Sequence, residues 1–199
     1  MKWSVLLCIA VAGLLPVAGA ASATATPTAA AGRAVGRNWE VDFSPRGGCT
    51  TAVVEALGRA RVSVLVQAYS FTSAPIARAL VDAQARGVKV QVILDKSQRT
   101  EKYSSATFLL NRRVPTYIDD RHAIAHNKVM VIDGHLLVTG SFNFTKAAEE
   151  NNAENLLVID DAELAARYAQ NWAAHRQHSG AYTELAATDA APKRRSRKR

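Results

Sequence analysis

The sequence is poor in cysteine. Cys8 and Cys49 are the only two among 199 residues, and Cys8 lies in an N-terminal segment that we expect to be removed. The remaining chain would then carry a single thiol and could form no internal disulfide. We expect Cys49 to be a small, buried, apolar residue on the first helix.

The sequence also lacks an apolar run long enough to cross a membrane comfortably. The run Val5–Val17 follows the positive charge of Lys2 and precedes two small-residue triplets at 18–20 and 21–23. This order is typical of a secretory signal peptide, and 13 residues are short for a spanning helix. We therefore expect residues 1–25 to be a signal peptide and the protein to be secreted or periplasmic. An uncleaved anchor is the alternative.

Negative charge is absent from the C-terminal end. The segment 193–199 holds six cations and no anion, whereas the whole chain has a formal net charge of +8. With this segment and Lys2 removed, the remainder is close to neutral. A block of like charges repels itself, so we expect residues 183–199 to be a disordered basic tail. Such a tail binds polyanions, whether nucleic acid or anionic lipid, or is simply solvated.

Between these ends, apolar strand patterns alternate with helical ones. Residues 26–38 are interpreted as a linker and 39–182 as one folded domain. The pattern predicts an α/β fold, a layered mixed sheet flanked by helices. The elements expected are strands at 39–43, 62–68, 88–94, 116–118, 129–132, 136–138 and 155–159, and helices at 50–60, 74–86, 103–111 and 161–175. Thr50 or Thr51 is the expected cap of the first helix.

One stretch, residues 126–143, carries most of the chemical information. It reads H-x-K-x4-D-x6-G-S-x-N, which fixes His126, Lys128, Asp133, Gly140, Ser141 and Asn143. Residues two apart on a strand share a face, so the imidazole and the ammonium should point into one site. Asp133-Gly134 predicts a hairpin turn. An imidazole, a fixed cation and neutral hydrogen-bond donors around one point suit the cleavage of a phosphodiester.

At these residues the chain resembles the phospholipase D superfamily, whose HKD signature this is. The segments 69–72, 140–149 and 154–155 further resemble its small bacterial Nuc-type endonucleases. The resemblance implies a phospholipase D-like fold with one HKD half per chain, and a homodimer whose two copies of His126 share one active site. It implies attack of His126 on phosphorus, a phosphohistidine intermediate and no metal or other cofactor.

The same resemblance assigns further roles. Lys128, Ser141 and Asn143 would bind the phosphate oxygens, and Glu154 would hold the second ring nitrogen of His126. Asp133 and Gly140 are expected to be structural. Glu154 is the weaker assignment, because Glu149 and Glu150 lie close to it and a solvated acidic face accounts for at least two of the three.

Several interpretations stay open from the sequence. A nuclease on DNA or RNA is the leading one, a phospholipase D that hydrolyses phosphatidyl head groups is the second, and a non-catalytic polyanion-binding protein is the third. His122 and His126, with Asp119 and Asp120 nearby, could suggest a zinc site. No helical pattern supports it, so we expect His122 and His135 to be exposed loop residues.

Overall fold

The structure, a computed structural model, describes residues 32–183. The expected signal peptide at 1–25 and all but the first residue of the expected basic tail at 183–199 lie outside the described residues. Within them the strands are β1 Gly32–Val35, β2 Trp39–Ser44, β3 Ser63–Ala68, β4 Lys89–Asp95, β5 Thr116–Asp119, β6 Lys128–Ile132, β7 Leu136–Gly140, β8 Glu154–Asp160 and β9 Gly180–Ala181. The helices are α1 Cys49–Arg59, α2 Ala74–Ala85, α3 Ala106–Asn111, α4 Lys146–Glu150 and α5 Ala162–His178, with a 3₁₀ turn at Lys96–Arg99.

The strands of this region form one mixed sheet, in the order β1-β2-β8-β7-β6-β3-β4-β5-β9. Strands β3, β4 and β5 are parallel, and every other neighbouring pair is antiparallel. The parallel strands are joined through α2 and α3, as crossover connections require. The predicted mixed α/β sheet is confirmed.

Strand β6 shows how both faces of the sheet are covered. Met130 and Ile132 point into the larger core, with residues of α1 and α2. Val129 and Val131 point to the opposite face and pack with Ala165 of α5. Because successive side chains of a strand alternate, an apolar run without polar interruptions predicts this two-sided burial. The domain therefore has three layers, helix–sheet–helix.

The β6–β7 hairpin turns at the predicted dipeptide. Asp133 and Gly134 have φ angles of 52° and 75°, the left-handed pair of a tight hairpin turn. The Asp133 carboxylate accepts hydrogen bonds from the backbone N–H groups of Arg61, Val62 and Ser63, at 2.8, 2.7 and 2.9 Å. It therefore binds the start of β3 to the turn.

Four elements differ from the sequence-based expectation. Part of the expected linker at 26–38 is strand β1, which pairs with β2 along the sheet edge. Residues 33–35 of this strand are exposed, so no apolar pattern marks it. The third helix begins at Ala106 instead of Tyr103, which is exposed. Helix α4 and the two-residue strand β9 were not predicted, because both are too short to show a periodicity.

The start of α1 is capped from elsewhere in the chain. Gly48 is the N-cap and makes no side-chain cap, so the expectation of Thr50 or Thr51 is wrong. The Glu149 carboxylate instead accepts from the N–H groups of Gly48 and Thr50, at 3.2 and 2.7 Å. A carboxylate at a helix N-terminus satisfies otherwise unpaired donors and complements the helix dipole. Glu149 is thus not part of a solvated acidic face. Cys49 is fully buried, as predicted, and burial raises the pKa of its thiol to about 12.

The strand register gathers chemically active residues at one edge of the sheet. The parallel strands β3, β4 and β5 end there at Ala68, Asp95 and Asp119. Antiparallel pairing places Lys128 opposite Ala68 at the same edge. The end of β7 and the start of β8 follow alongside. In residues 32–183 no helix combines the length and apolar character that a membrane crossing needs.

Candidate active site

An open pocket of about 400 Å³ lies at this edge. Its lining brings together six residues singled out in the sequence: His126, Lys128, Gly140, Ser141, Asn143 and Glu154. They come from the ends of β6, β7 and β8 and from the segments beside them. Asp133 lies at the opposite end of β6, away from the pocket.

His126 and Lys128 are in direct contact within the pocket. The Lys128 ammonium lies 3.0 Å from Nδ1 and 3.1 Å from Nε2 of His126, and donates to the His126 carbonyl oxygen at 2.8 Å. An ammonium can only donate, so the ring must accept, and a neutral imidazole has one nitrogen that can. The neutral ring is also the form that can act as a nucleophile.

The surroundings hold these two side chains in place. Lys128 is only 7% exposed; burial lowers its pKa below the ordinary value, and the negative charge of Glu154 partly opposes this. The Tyr69 ring lies 4.6 Å from the His126 ring, centroid to centroid, and 5.2 Å from the Lys128 ammonium. Tyr69 therefore packs beside both of these side chains, whereas Phe71 is buried in the core.

A buried carboxylate outside the motif positions the segment before His126. Asp95, at the end of β4, accepts from the Ala125 N–H at 2.7 Å and from the Ser97 N–H at 2.8 Å. It is 2% exposed. The sequence analysis missed this residue, although an aspartate directly after a buried apolar strand was a visible sign of it.

The Gly140–Asn143 segment depends on its glycine and on side chains that alternate between the pocket and the core. Gly140 has φ 140°, and a Cβ there would overlap the Asn155 carbonyl oxygen. The hydroxyl oxygen of Ser141 accepts from the backbone N–H and the side-chain amide of Asn155, at 3.1 and 3.3 Å. Its own O–H therefore remains able to donate to an anion. Phe142 is buried in the core, so the residues on either side face the pocket.

Asn143 and Glu154 complete the lining. The Asn143 side-chain oxygen is buried and has no hydrogen-bond partner among the described residues. Glu154 accepts from the Asn152 amide at 3.0 Å. The structure shows no hydrogen bond from His126 to Glu154 within the described part of the chain, so a pairing of these two residues stays a prediction.

A second polar cluster lies further along the same edge. Asp119, fully buried at the end of β5, contacts the ring nitrogens of His122, His175 and His178. Burial by itself would raise the pKa of Asp119, but hydrogen bonds from His175 and His122, together with the nearby His178 ring, outweigh it and lower the pKa. His122 is 44% exposed, so it is a loop residue with a definite partner. His126 takes no part in the cluster, contrary to the zinc arrangement that its spacing suggested.

Comparison with known proteins agrees with this geometry. A family model described as "Cardiolipin synthase, PLD-like domain" matches residues 53–176. The chain is 45% identical over 138 residues to a phospholipase D of Rickettsia bellii, and the match covers 69% of each chain. It is 32% identical over 114 residues to a mitochondrial cardiolipin hydrolase of Xenopus tropicalis, covering 57% of this chain and 54% of that relative.

A solved structure is similar over almost its whole length. The phospholipase D family member Nuc from Salmonella typhimurium superposes with a TM-score of 0.70 at 37% identity, over 72% of this chain and 97% of that one. The chain therefore belongs to the phospholipase D superfamily and is a phosphodiesterase. Within that superfamily it resembles Nuc, with one HKD motif per chain.

Proposed function

We propose that the protein is a secreted, metal-independent nuclease that cleaves phosphodiester bonds of DNA or RNA through a phosphohistidine. The observation that carries the proposal is the contact of His126 with the buried Lys128 in an open pocket. A nucleophile and a fixed cation then reach the same phosphate without rearrangement of the backbone. Electrostatic stabilisation of this kind is worth most where the cation is partly shielded from water.

The proposed chemistry uses these groups in two steps. A neutral His126 ring attacks phosphorus, the phosphorus–oxygen bond opposite breaks, and the leaving oxygen takes a proton from a second imidazole. Water then attacks phosphorus and gives its proton to that second imidazole, and the phosphorus–nitrogen bond breaks to free His126. Lys128 and the Ser141 hydroxyl neutralise the charge on the non-bridging oxygens in both steps.

The lining of the pocket favours a nucleic acid over a lipid. None of the six lining residues carries an aliphatic side chain, so nothing in the lining would hold an acyl chain. A phosphate on a polymer needs only an open, polar, cationic pocket. The similarity to Nuc supports this choice, whereas the rickettsial relatives are named phospholipase D and keep the lipid as the second candidate.

One assay separates these substrates. The mature protein would be given supercoiled plasmid, single-stranded RNA and phosphatidylcholine vesicles side by side in EDTA, with His126→Ala protein as the matched blank. We expect nicked plasmid or shortened RNA and no released choline. Rapid quenching with labelled substrate should trap a phosphoryl group that is stable in base and labile in acid. Choline release with intact nucleic acid would contradict the nuclease proposal.

The second imidazole has to come from another copy of the chain. Among residues 32–183, no histidine other than His126 lines the pocket. The outer face of β2, which carries Trp39 and Phe43, is the surface that we propose for the dimer contact. These two side chains remain 43% and 41% exposed, because α5 lies over β3, β5, β6 and β7 instead. Phe43 pairs with Asn155, the residue that holds Ser141, so this face borders the pocket.

The dimer is testable apart from the substrate. Phe43→Asp should give a monomer in sedimentation and lose most turnover, whereas Tyr103→Asp, at a site 69% exposed on the other side of the sheet, should stay dimeric and active. A wild-type protein that is fully active as a monomer at assay concentration would refute a shared site.

A further inference from the structure

Three of the five histidines in the chain converge on one buried carboxylate outside the active site. Oδ2 of Asp119 lies 3.0 Å from Nδ1 of His122, 2.8 Å from Nδ1 of His175 and 3.3 Å from Nε2 of His178. One ligand atom from each of the four residues falls within 4.8 Å of all the others. His175 and His178 are three apart on the last turn of α5, so they share a face of that helix.

The hydrogen bonds within this cluster leave one ring nitrogen without a partner. Nε2 of His178 is buried and has no hydrogen-bond partner among the described residues, although it lies near the Asp119 oxygen. A buried polar atom without a partner is costly, and it calls for a ligand that the protein atoms do not supply.

The donor set and its size suit a tetrahedral metal ion. Zinc bonds of about 2.0–2.2 Å to nitrogen and oxygen separate neighbouring ligand atoms by about 3.4 Å in a tetrahedron. The distances to Asp119 Oδ2 fall only a few tenths of an ångström short of that value. A groove of about 530 Å³ beside His122, His175 and His178 opens the cluster to solvent and gives an ion a way in. Three imidazoles and one carboxylate form a donor set that binds zinc in preference to magnesium or calcium.

We propose that Asp119, His122, His175 and His178 form a structural site for a divalent transition metal of the zinc type, separate from the phosphodiesterase site. β5 and β6 are three strand spacings apart in the sheet, or about 14 Å, so the ion would not reach the scissile phosphate. It would be a closed site with four protein ligands, which is typical of structural zinc.

The ion would join three segments that are distant in sequence. Asp119 ends β5, His122 lies on the loop that leads to His126, and the other two ligands end α5. The same loop is fixed at Ala125 by Asp95. Metal binding would therefore clamp the C-terminal end of α5 to the sheet and restrain the start of the segment that presents the nucleophile.

Metal binding by the untagged mature protein tests the proposal without any activity measurement. The protein would be stripped with a chelator, dialysed, and titrated with Zn²⁺ by calorimetry. Co²⁺ loading would report the geometry through its absorption spectrum. We expect about one ion per chain, a tetrahedral cobalt spectrum and a higher melting temperature with zinc.

Matched variants locate the site. His178→Gln and His175→Ala should each weaken zinc binding by more than the roughly 10–100-fold that loss of an outer-shell partner costs. His126→Ala and His135→Ala should bind as the wild type does; His135 pairs instead with the exposed Asp160. His178→Gln is the variant most certain to fold, because Nε2 of His178 has no hydrogen bond to lose. A wild type that binds no zinc, or cluster variants that bind it undiminished, would overturn the proposal.

Discussion

Replacing Asp133 should cost stability and leave the chemistry intact, although this aspartate belongs to the most recognisable motif of the chain. Its carboxylate holds three backbone N–H groups at the start of β3, and it lies at the far end of β6 from Lys128. The two lie five positions apart along the strand, or about 17 Å. A phosphate bound at His126 therefore does not contact Asp133.

The magnitude follows from what each substitution removes. Hydrogen bonds to a charged group contribute about 1.5–3 kcal/mol each when shielded, but two of the three donors here are exposed, so water replaces much of that. Asp133 also has φ 52°, which costs an ordinary L-residue about 1–2 kcal/mol. Asp133→Ala should therefore lower the free energy of unfolding by about 2–4 kcal/mol. Asp133→Asn, which keeps an acceptor and tolerates this φ, should lose about 1–2 kcal/mol.

The loss should depend on pH in a defined direction. Burial tends to raise the pKa of Asp133, but hydrogen bonds from the Ser63, Val62 and Arg61 backbones outweigh it and lower the pKa. A carboxylate with a lowered folded-state pKa stabilises the fold above its unfolded-state value and loses that contribution as the pH falls through the folded-state value. The difference between wild type and Asp133→Asn should therefore be full at neutral pH and shrink below about pH 4.

Urea unfolding of the three proteins, with turnover of a small chromogenic diester measured well below the melting temperature, checks both parts. We expect an order of stability of wild type, Asn, Ala, with equal kcat. A variant with unchanged stability and kcat reduced by a hundredfold or more would refute the reasoning, because the carboxylate would then act in catalysis.

Further outcomes are expected from the same structure. His126→Ala should abolish hydrolysis of every substrate with an unchanged melting curve, because the residue is exposed and supplies the nucleophile; residual turnover near that of the wild type would exclude the mechanism. EDTA should leave the turnover of His175→Ala protein unchanged, since no catalytic step uses a metal, and activity lost there but restored by a divalent ion would contradict this. Deletion of residues 193–199 should raise KM for a polyanion and flatten its salt dependence while kcat on a small diester stays the same; a fall in that kcat would place the tail in the site. Burial and the charge of Glu40 raise the pKa of Asp42 to about 6, so this group stabilises the fold below about pH 4 and loses that contribution as the pH rises through 6. Asp42→Asn should accordingly be the more stable protein at pH 8, by up to about 3 kcal/mol in urea unfolding, with a difference that vanishes towards pH 4; equal stability at both pH values would refute the shift.

The sequence predicted the parts of this fold that have a period or a fixed spacing. The apolar strands and the Asp133–Gly134 turn were both predictable, because burial imposes regular intervals on a chain and a tight turn has its own residue preferences. Contacts between distant segments leave no such interval. The contact of Glu149 with the start of α1 and the hydrogen bond of Asp95 to Ala125 both join elements that are far apart in sequence.

The histidine cluster shows the same limit most clearly. His175 and His178 have helical spacing, and His122 follows Asp119 closely, so each half was visible. Only the closing of α5 onto the end of β5 brings the halves together. The sequence analysis instead linked His122 with His126, its neighbour along the chain, and the structure directs these two side chains to different sites.

The buried strand β6 gives the spacing of the HKD motif a meaning that is independent of catalysis. The four residues between Lys128 and Asp133 are the number that β6 needs to cross the sheet from the edge with the active site to the edge with the hairpin turn. One residue more or fewer would turn every later side chain of the strand to the wrong layer. The spacing from Lys128 to Asp133 is therefore set by the architecture of the sheet, whereas the nucleophile itself depends on the residue at position 126. A homologue that kept every other motif residue and replaced only this histidine would still be recognised as a member of the superfamily, but it would hydrolyse nothing.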